Sequence, residues 1–117
     1  MGAELTDTGE EGPRGTGEDP AAALFDRANE LRRHHRHSEA VEIYDRALTL
    51  RADYPEALNN RGNALRDLKR YEEALSSYDR ALALRPTHER ALNNRGNVLR
   101  DLGRHKEALD SYDRALA

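Results

Sequence analysis

The chain has 117 residues, 35% charged and 37% hydrophobic, with no Cys, no Trp and a formal charge of −3. That length suits one small domain, and the balance suits a thin helical structure better than a thick globular core. The absence of Cys excludes a disulfide scaffold, a Cys zinc site and a thiol nucleophile. No apolar run approaches the ~20 residues of a membrane helix. The first residues lack the basic and apolar regions of a signal peptide, so a cytoplasmic location is expected.

Residues 1–20 hold six acids and one base, a charge of −5. They also hold Gly2, Gly9, Gly12, Pro13, Gly15, Gly17 and Pro20, with Leu5 the one large apolar residue. A segment of this kind cannot bury enough surface to offset the entropy of ordering it, and it reads as a disordered acidic tail. Its start, Met1-Gly2-Ala3-Glu4-Leu5-Thr6, formally fits an acylation pattern. A single acyl chain needs a second signal such as a basic patch, and the acidic tail offers none.

From Ala21 onward Ala, Leu, Arg and Glu dominate, and the 18 Lys/Arg and 16 Asp/Glu interleave to give +2. Mixed charge of this sort marks solvated helix faces, not a one-signed surface for nucleic acid or membrane. The chain also repeats itself. A shift of 34 aligns 55–83 with 89–117 at 22 of 29 identities, and 21–54 with 55–88 at 16 of 34. The units are therefore 21–54, 55–88 and an incomplete 89–117. Each reads as two helices and a short turn. In the middle unit Leu58, Leu65 and Leu68 recur at helical spacing, and Lys69-Arg70 breaks the pattern. A second stripe follows at Tyr71, Ala74, Leu75, Tyr78, Ala81 and Leu82, and Arg85-Pro86 stops it. Gly62 and Gly96 fall inside helices, where Gly costs about 1 kcal/mol relative to Ala. Such a cost is understandable where two helices approach too closely for a side chain, and Ala28 at the matching place agrees.

These residues resemble the tetratricopeptide repeat family, whose period is also 34. Leu58, Gly62, Leu65, Tyr71, Ala74, Tyr78, Ala81 and Pro86 match its pattern, as do Leu92, Gly96, Leu99, Ala108, Tyr112 and Ala115. The first unit departs, with Ala28 for Gly and Ala52 for Pro. Arg27, Arg61 and Arg95 stand where the family usually has Leu, and Asp45, Asp79 and Asp113 are candidate partners for them. The resemblance implies an all-α, right-handed solenoid of three antiparallel helix pairs, with the first helices lining a concave groove. The chain stops at Ala117 inside the sixth helix, with no polar capping helix after it. That predicts an exposed end at Leu109, Tyr112 and Leu116, open to a further copy, to a partner, or to the rest of a longer array.

Asparagine is a mediocre helix former, yet Asn29, Asn59, Asn60, Asn63, Asn93, Asn94 and Asn97 crowd the first helices. An amide offers a donor and an acceptor and can grip a peptide group, so these residues, with Arg90 for an acidic group, are the candidate peptide-binding set. The arrangement looks like the asparagine ladder of O-linked N-acetylglucosamine transferases, with Asp26 breaking it in the first unit. The alternative is that the amides bond one another between repeats. Asn29, Asn60 and Arg90 also fit the carboxylate clamp of chaperone-binding members, but Phe25 and Asn94 stand where that clamp has cations, which argues against it. His34, His35 and His37 lie among Arg32, Arg33 and Arg36, which repel a metal ion.

The chain thus reads as a non-enzymatic module with no cofactor and no metal, binding a protein or peptide partner in its groove. The competing expectations are an accessory segment of a glycosyltransferase lacking its catalytic domain, and a self-assembling unit that uses the uncapped last helix.

Overall fold

The computed structural model describes residues 19–117. The expected tail, and the acylation pattern within it, otherwise lie outside the described residues. Asp19 and Pro20 do not belong to that tail. Pro20 opens the first helix, where its missing N–H costs nothing, and the Asp19 carboxylate accepts from the Ala22 N–H at 3.2 Å.

Six helices follow: α1 Pro20–Arg33, α2 His37–Leu50, α3 Pro55–Asp67, α4 Tyr71–Leu84, α5 Glu89–Asp101 and α6 His105–Leu116. They form three antiparallel pairs stacked as an α-solenoid, and no strand occurs among the described residues. The turn inside each pair is tight because one residue takes the left-handed conformation. Those residues are His35 (φ 61), Lys69 (φ 63) and Gly103 (φ 78), spaced by the repeat. Only the third uses the residue type that adopts this conformation without strain.

The core is a continuous ribbon of Ala, Leu and Tyr. Leu58, Leu65, Leu92, Leu99, Tyr44 and Tyr78 are essentially inaccessible, each large apolar side chain contributing about 1.5–3 kcal/mol of burial. The glycine reading holds. A Cβ on Gly62 would stand 2.5 Å from the Tyr78 ring, and one on Gly96 would stand 2.6 Å from Tyr112. Ser77 and Ser111 are buried too, and satisfy themselves by donating to the Leu58 and Leu92 carbonyls at 2.7 Å.

The recurrent arginines pair with the recurrent aspartates, one unit back. Arg61 Nε donates to Asp45 at 2.6 Å, and Arg95 Nε to Asp79 at 2.7 Å. Each pair bridges adjacent repeats, α3 to α2 and α5 to α4, while the arginine stem stays mostly covered. On α6 the apolar positions corresponding to Leu75 and Leu82 are open: Leu109 is 61% exposed and Leu116 86%. Tyr112 is only partly uncovered, because Gly96 lies beneath its ring.

Candidate functional site

The first helices α1, α3 and α5 bring seven of the eight candidate residues to one cleft of about 480 Å³: Asn29, Asn59, Asn60, Asn63, Arg90, Asn93 and Asn94. Asn97, further along α5, is outside it. Arg32 and Arg33, which the sequence presents only as cations among the histidines, also line the cleft. They sit on the last turn of α1, whose final residues point along the same face as Asn29.

The asparagines do not act alike. Asn29 Oδ1 accepts from the Tyr44 hydroxyl and from Asn60 Nδ2, the latter at 3.0 Å. Asn59 donates to Asn60 Oδ1 at 3.2 Å and accepts from Asn94 Nδ2 at 3.0 Å. A chain of amides therefore crosses both repeat junctions, Asn29 to Asn60 to Asn59 to Asn94. Asn59, only 3% exposed, has both ends of its amide occupied and supports the surface from behind. Asn63 and Asn97 each accept from the tyrosine beneath, Tyr78 at 2.6 Å and Tyr112 at 2.5 Å.

What remains for a ligand follows from this bookkeeping of donors and acceptors. With their oxygens taken, Asn29 and Asn63 turn an uncommitted Nδ2 donor outward, Asn94 keeps its oxygen as an acceptor, and the exposed Asn93 keeps both. A peptide backbone offers the complementary set. The tyrosines that hold these amides stay neutral. Burial pushes the Tyr44 phenol up, the nearby Arg32 guanidinium opposing it only in part, and burial pushes Tyr78 up further.

The cleft is electropositive. It is lined by three arginines and no carboxylate residue. Arg33 is bound to Glu30, whose carboxyl the Arg33 guanidinium holds below the usual range. Arg32 and Arg90 have no acidic partner among the described residues, and Arg32 Nε is buried without an acceptor. Phe25, in a place where a clamp would need a cation, instead stacks on Tyr54 with ring centroids 5.1 Å apart. Two of the three cations, Arg32 and Arg33, come from about two helical turns beyond Phe25 on α1, which positional comparison with the family pattern does not register.

The histidines divide among separate partners. His34 contacts Glu30 at 3.0 Å, and His37 lies 3.5 Å from Asp67 of α3. Among the described residues no group of three or more His, Asp or Glu is placed to hold a metal ion. No helix there is long and apolar enough to cross a membrane.

Residues 53–117 match the family model described as tetratricopeptide repeat. A search of curated proteins finds no match. Among solved structures, the first TPR of Spaghetti (RPAP3) bound to HSP90 peptide SRMEEVD is similar at 27% identity and a TM-score of 0.81. That match covers 82% of this chain and 76% of the other. The second TPR of the same protein, bound to the same peptide, matches at 24% identity and TM-score 0.80, covering 87% and 94%. MamA matches at 20% identity and TM-score 0.81, over 84% of this chain and 57% of its own. The last two likenesses concern the fold.

Proposed function

The chain belongs to the tetratricopeptide repeat family, and from that membership we propose that its concave groove binds an acidic peptide segment of a partner protein. The three repeats, 21–54, 55–88 and 89–117, act as a non-catalytic interaction module. The observation that carries the reading is a cleft that combines uncommitted amide groups with three arginines and no carboxylate. Asn29, Asn63, Asn93 and Asn94 take the peptide backbone, with little demand on sequence. Arg32 and Arg90 take carboxylates, where charge-assisted hydrogen bonds are about twice as strong as neutral ones. The acidic peptide SRMEEVD held by the RPAP3 domains supports the same ligand chemistry.

The amide chain from Asn29 to Asn94 also favours a second reading. In it the asparagines form the ladder of a transferase's repeat segment, and the peptide is a substrate presented to a catalytic domain.

The test is selection from a random peptide display library on the wild type and on Arg32→Gln/Arg90→Gln. The expected result is Asp/Glu enrichment on the wild type, lost on the double variant at equal helicity. Selection with no acidic enrichment, or enrichment that survives in the variant, overturns the assignment.

A further inference from the structure

The two ends of the helix stack carry the unmatched halves of one device. At both internal junctions an arginine from the following first helix meets an aspartate on the preceding second helix, Arg61 with Asp45 and Arg95 with Asp79. The series begins with Arg27 on α1 and ends with Asp113 on α6. Both are exposed, and among the described residues neither has an ion-pair partner. Leu109 and Leu116, beside Asp113, are exposed where the equivalent Leu75 and Leu82 are 6% and 7% exposed under α5. On α1, Ala23 is open where the matching Ala57 and Ala91 are buried.

A second complementarity lies at the groove edge. At the first junction Asn60 Nδ2 donates to Asn29 Oδ1. At the α6 end Asn97 Oδ1 is taken by Tyr112, and its Nδ2 has no acceptor among the described residues. Asp26, which holds the Asn60 position on α1, can only accept when ionised. Asn97 and Asp26 thus reproduce the junction bond with donor and acceptor exchanged.

We propose that the outer face of α6 docks on the outer face of α1 of a second copy, head to tail, with Arg27 of one copy on Asp113 of the next. The occupant is chosen by charge and by continuity with the internal junctions, which the new contact repeats. Glu30 replaces the buried Ala64 and Val98 on the α1 side. It makes this joint weaker than an internal one, so the association depends on concentration. A contact that joins unlike faces extends and does not close as a dimer unless its rotation returns on itself.

The test uses the full chain, and sedimentation velocity from micromolar to millimolar concentration. The mean mass of the wild type should rise with concentration. Arg27→Asp alone and Asp113→Arg alone should each stay at monomer mass with unchanged helicity, since both side chains are exposed. Their equimolar mixture should at least double in mass, because the introduced aspartate meets the introduced arginine, and the native arginine still finds a native aspartate. A wild type that is monomeric throughout overturns the proposal. So does a mixture that stays monomeric. Association of Arg27→Asp equal to wild type, with loss only in Leu116→Asp, would mean a symmetric α6–α6 contact instead, and would equally overturn it.

Discussion

Replacing Gly62 with alanine tests the packing that fixes each helix pair. The new methyl would stand 2.5–2.8 Å from the Cε1, Cδ1 and Cζ atoms of Tyr78. That ring is completely buried, and its hydroxyl is held by Asn63 at 2.6 Å, so it cannot slide without loosening the bond. Overpacking of this kind costs about 1–3 kcal/mol. Weakening the tyrosine–asparagine bond adds about 1 kcal/mol. Against these, alanine gains about 1 kcal/mol of helix propensity over glycine. The balance is a loss of about 1–3 kcal/mol, or a fall in Tm of roughly 5–15 °C for a chain of this size. Circular dichroism during thermal and urea unfolding measures it. The reverse substitution, Ala28→Gly, meets no such ring clash and gives up propensity and a buried methyl, so it should also destabilise, by about 1–2 kcal/mol. A neutral or stabilising Gly62→Ala would refute the argument, because the glycine's helix cost would then have no steric return.

Two further outcomes follow from local geometry. Lys69 holds the left-handed turn at φ 63 where the third repeat has Gly103, so Lys69→Gly should stabilise by about 0.5 kcal/mol, the relief of strain exceeding the added chain entropy. Urea midpoints compare the two, and a destabilised variant would mean the lysine makes a compensating contact. His88 caps α5 through Nδ1, which accepts from the Ala91 N–H at 3.3 Å, and burial, reinforced by Arg85, pushes its pKa below 6.5. A depressed folded-state value means that the cap contributes above the unfolded pKa of about 6.5 and is lost as pH falls through the lower folded value. The wild type should therefore lose about 1 kcal/mol between pH 7.5 and 5 from this cap. His88→Ser, which caps without titrating, should show a shallower slope in Tm against pH; equal slopes would remove His88 from the pH response.

The fold was legible because the 34-residue period carries it three times, and a stripe such as Tyr71, Ala74, Tyr78 and Ala81 needs no tertiary information to be read. The buried approach at Gly62 was legible for the same reason, the cost of glycine in a helix demanding a cause. The stagger of the arginine–aspartate pairs was not. Spacing gives Arg61 two equivalent candidates, Asp45 and Asp79, and only the rotation between repeats selects the earlier one. Nor did the sequence separate Asn59, sunk behind the groove, from Asn60 beside it: a one-residue step turns the side chain by about 100°, but with an amide at both positions only the packing of the repeats decides which one is buried. Arg32 and Arg33 escaped because the adjacent histidines drew the reading of that segment to metal binding, while α1 carries both arginines on its last turn. Ser77 and Ser111 had a signal, the same hydroxyl recurring a period apart on an otherwise apolar face.

The bonds from the buried Tyr44 and Tyr78 to two groove asparagines make the groove a potential ruler. Tyr44 and Tyr78 fix the amide oxygens of Asn29 and Asn63 inward, so the outward N–H donors recur once per repeat, at an interval set by how the helix pairs stack. In the proposed complex a peptide would be measured by the distance between its carbonyl groups, whatever its side chains. In that complex a change in the spacing between repeats would alter the graduation of the ruler, and with it the length of segment that fits.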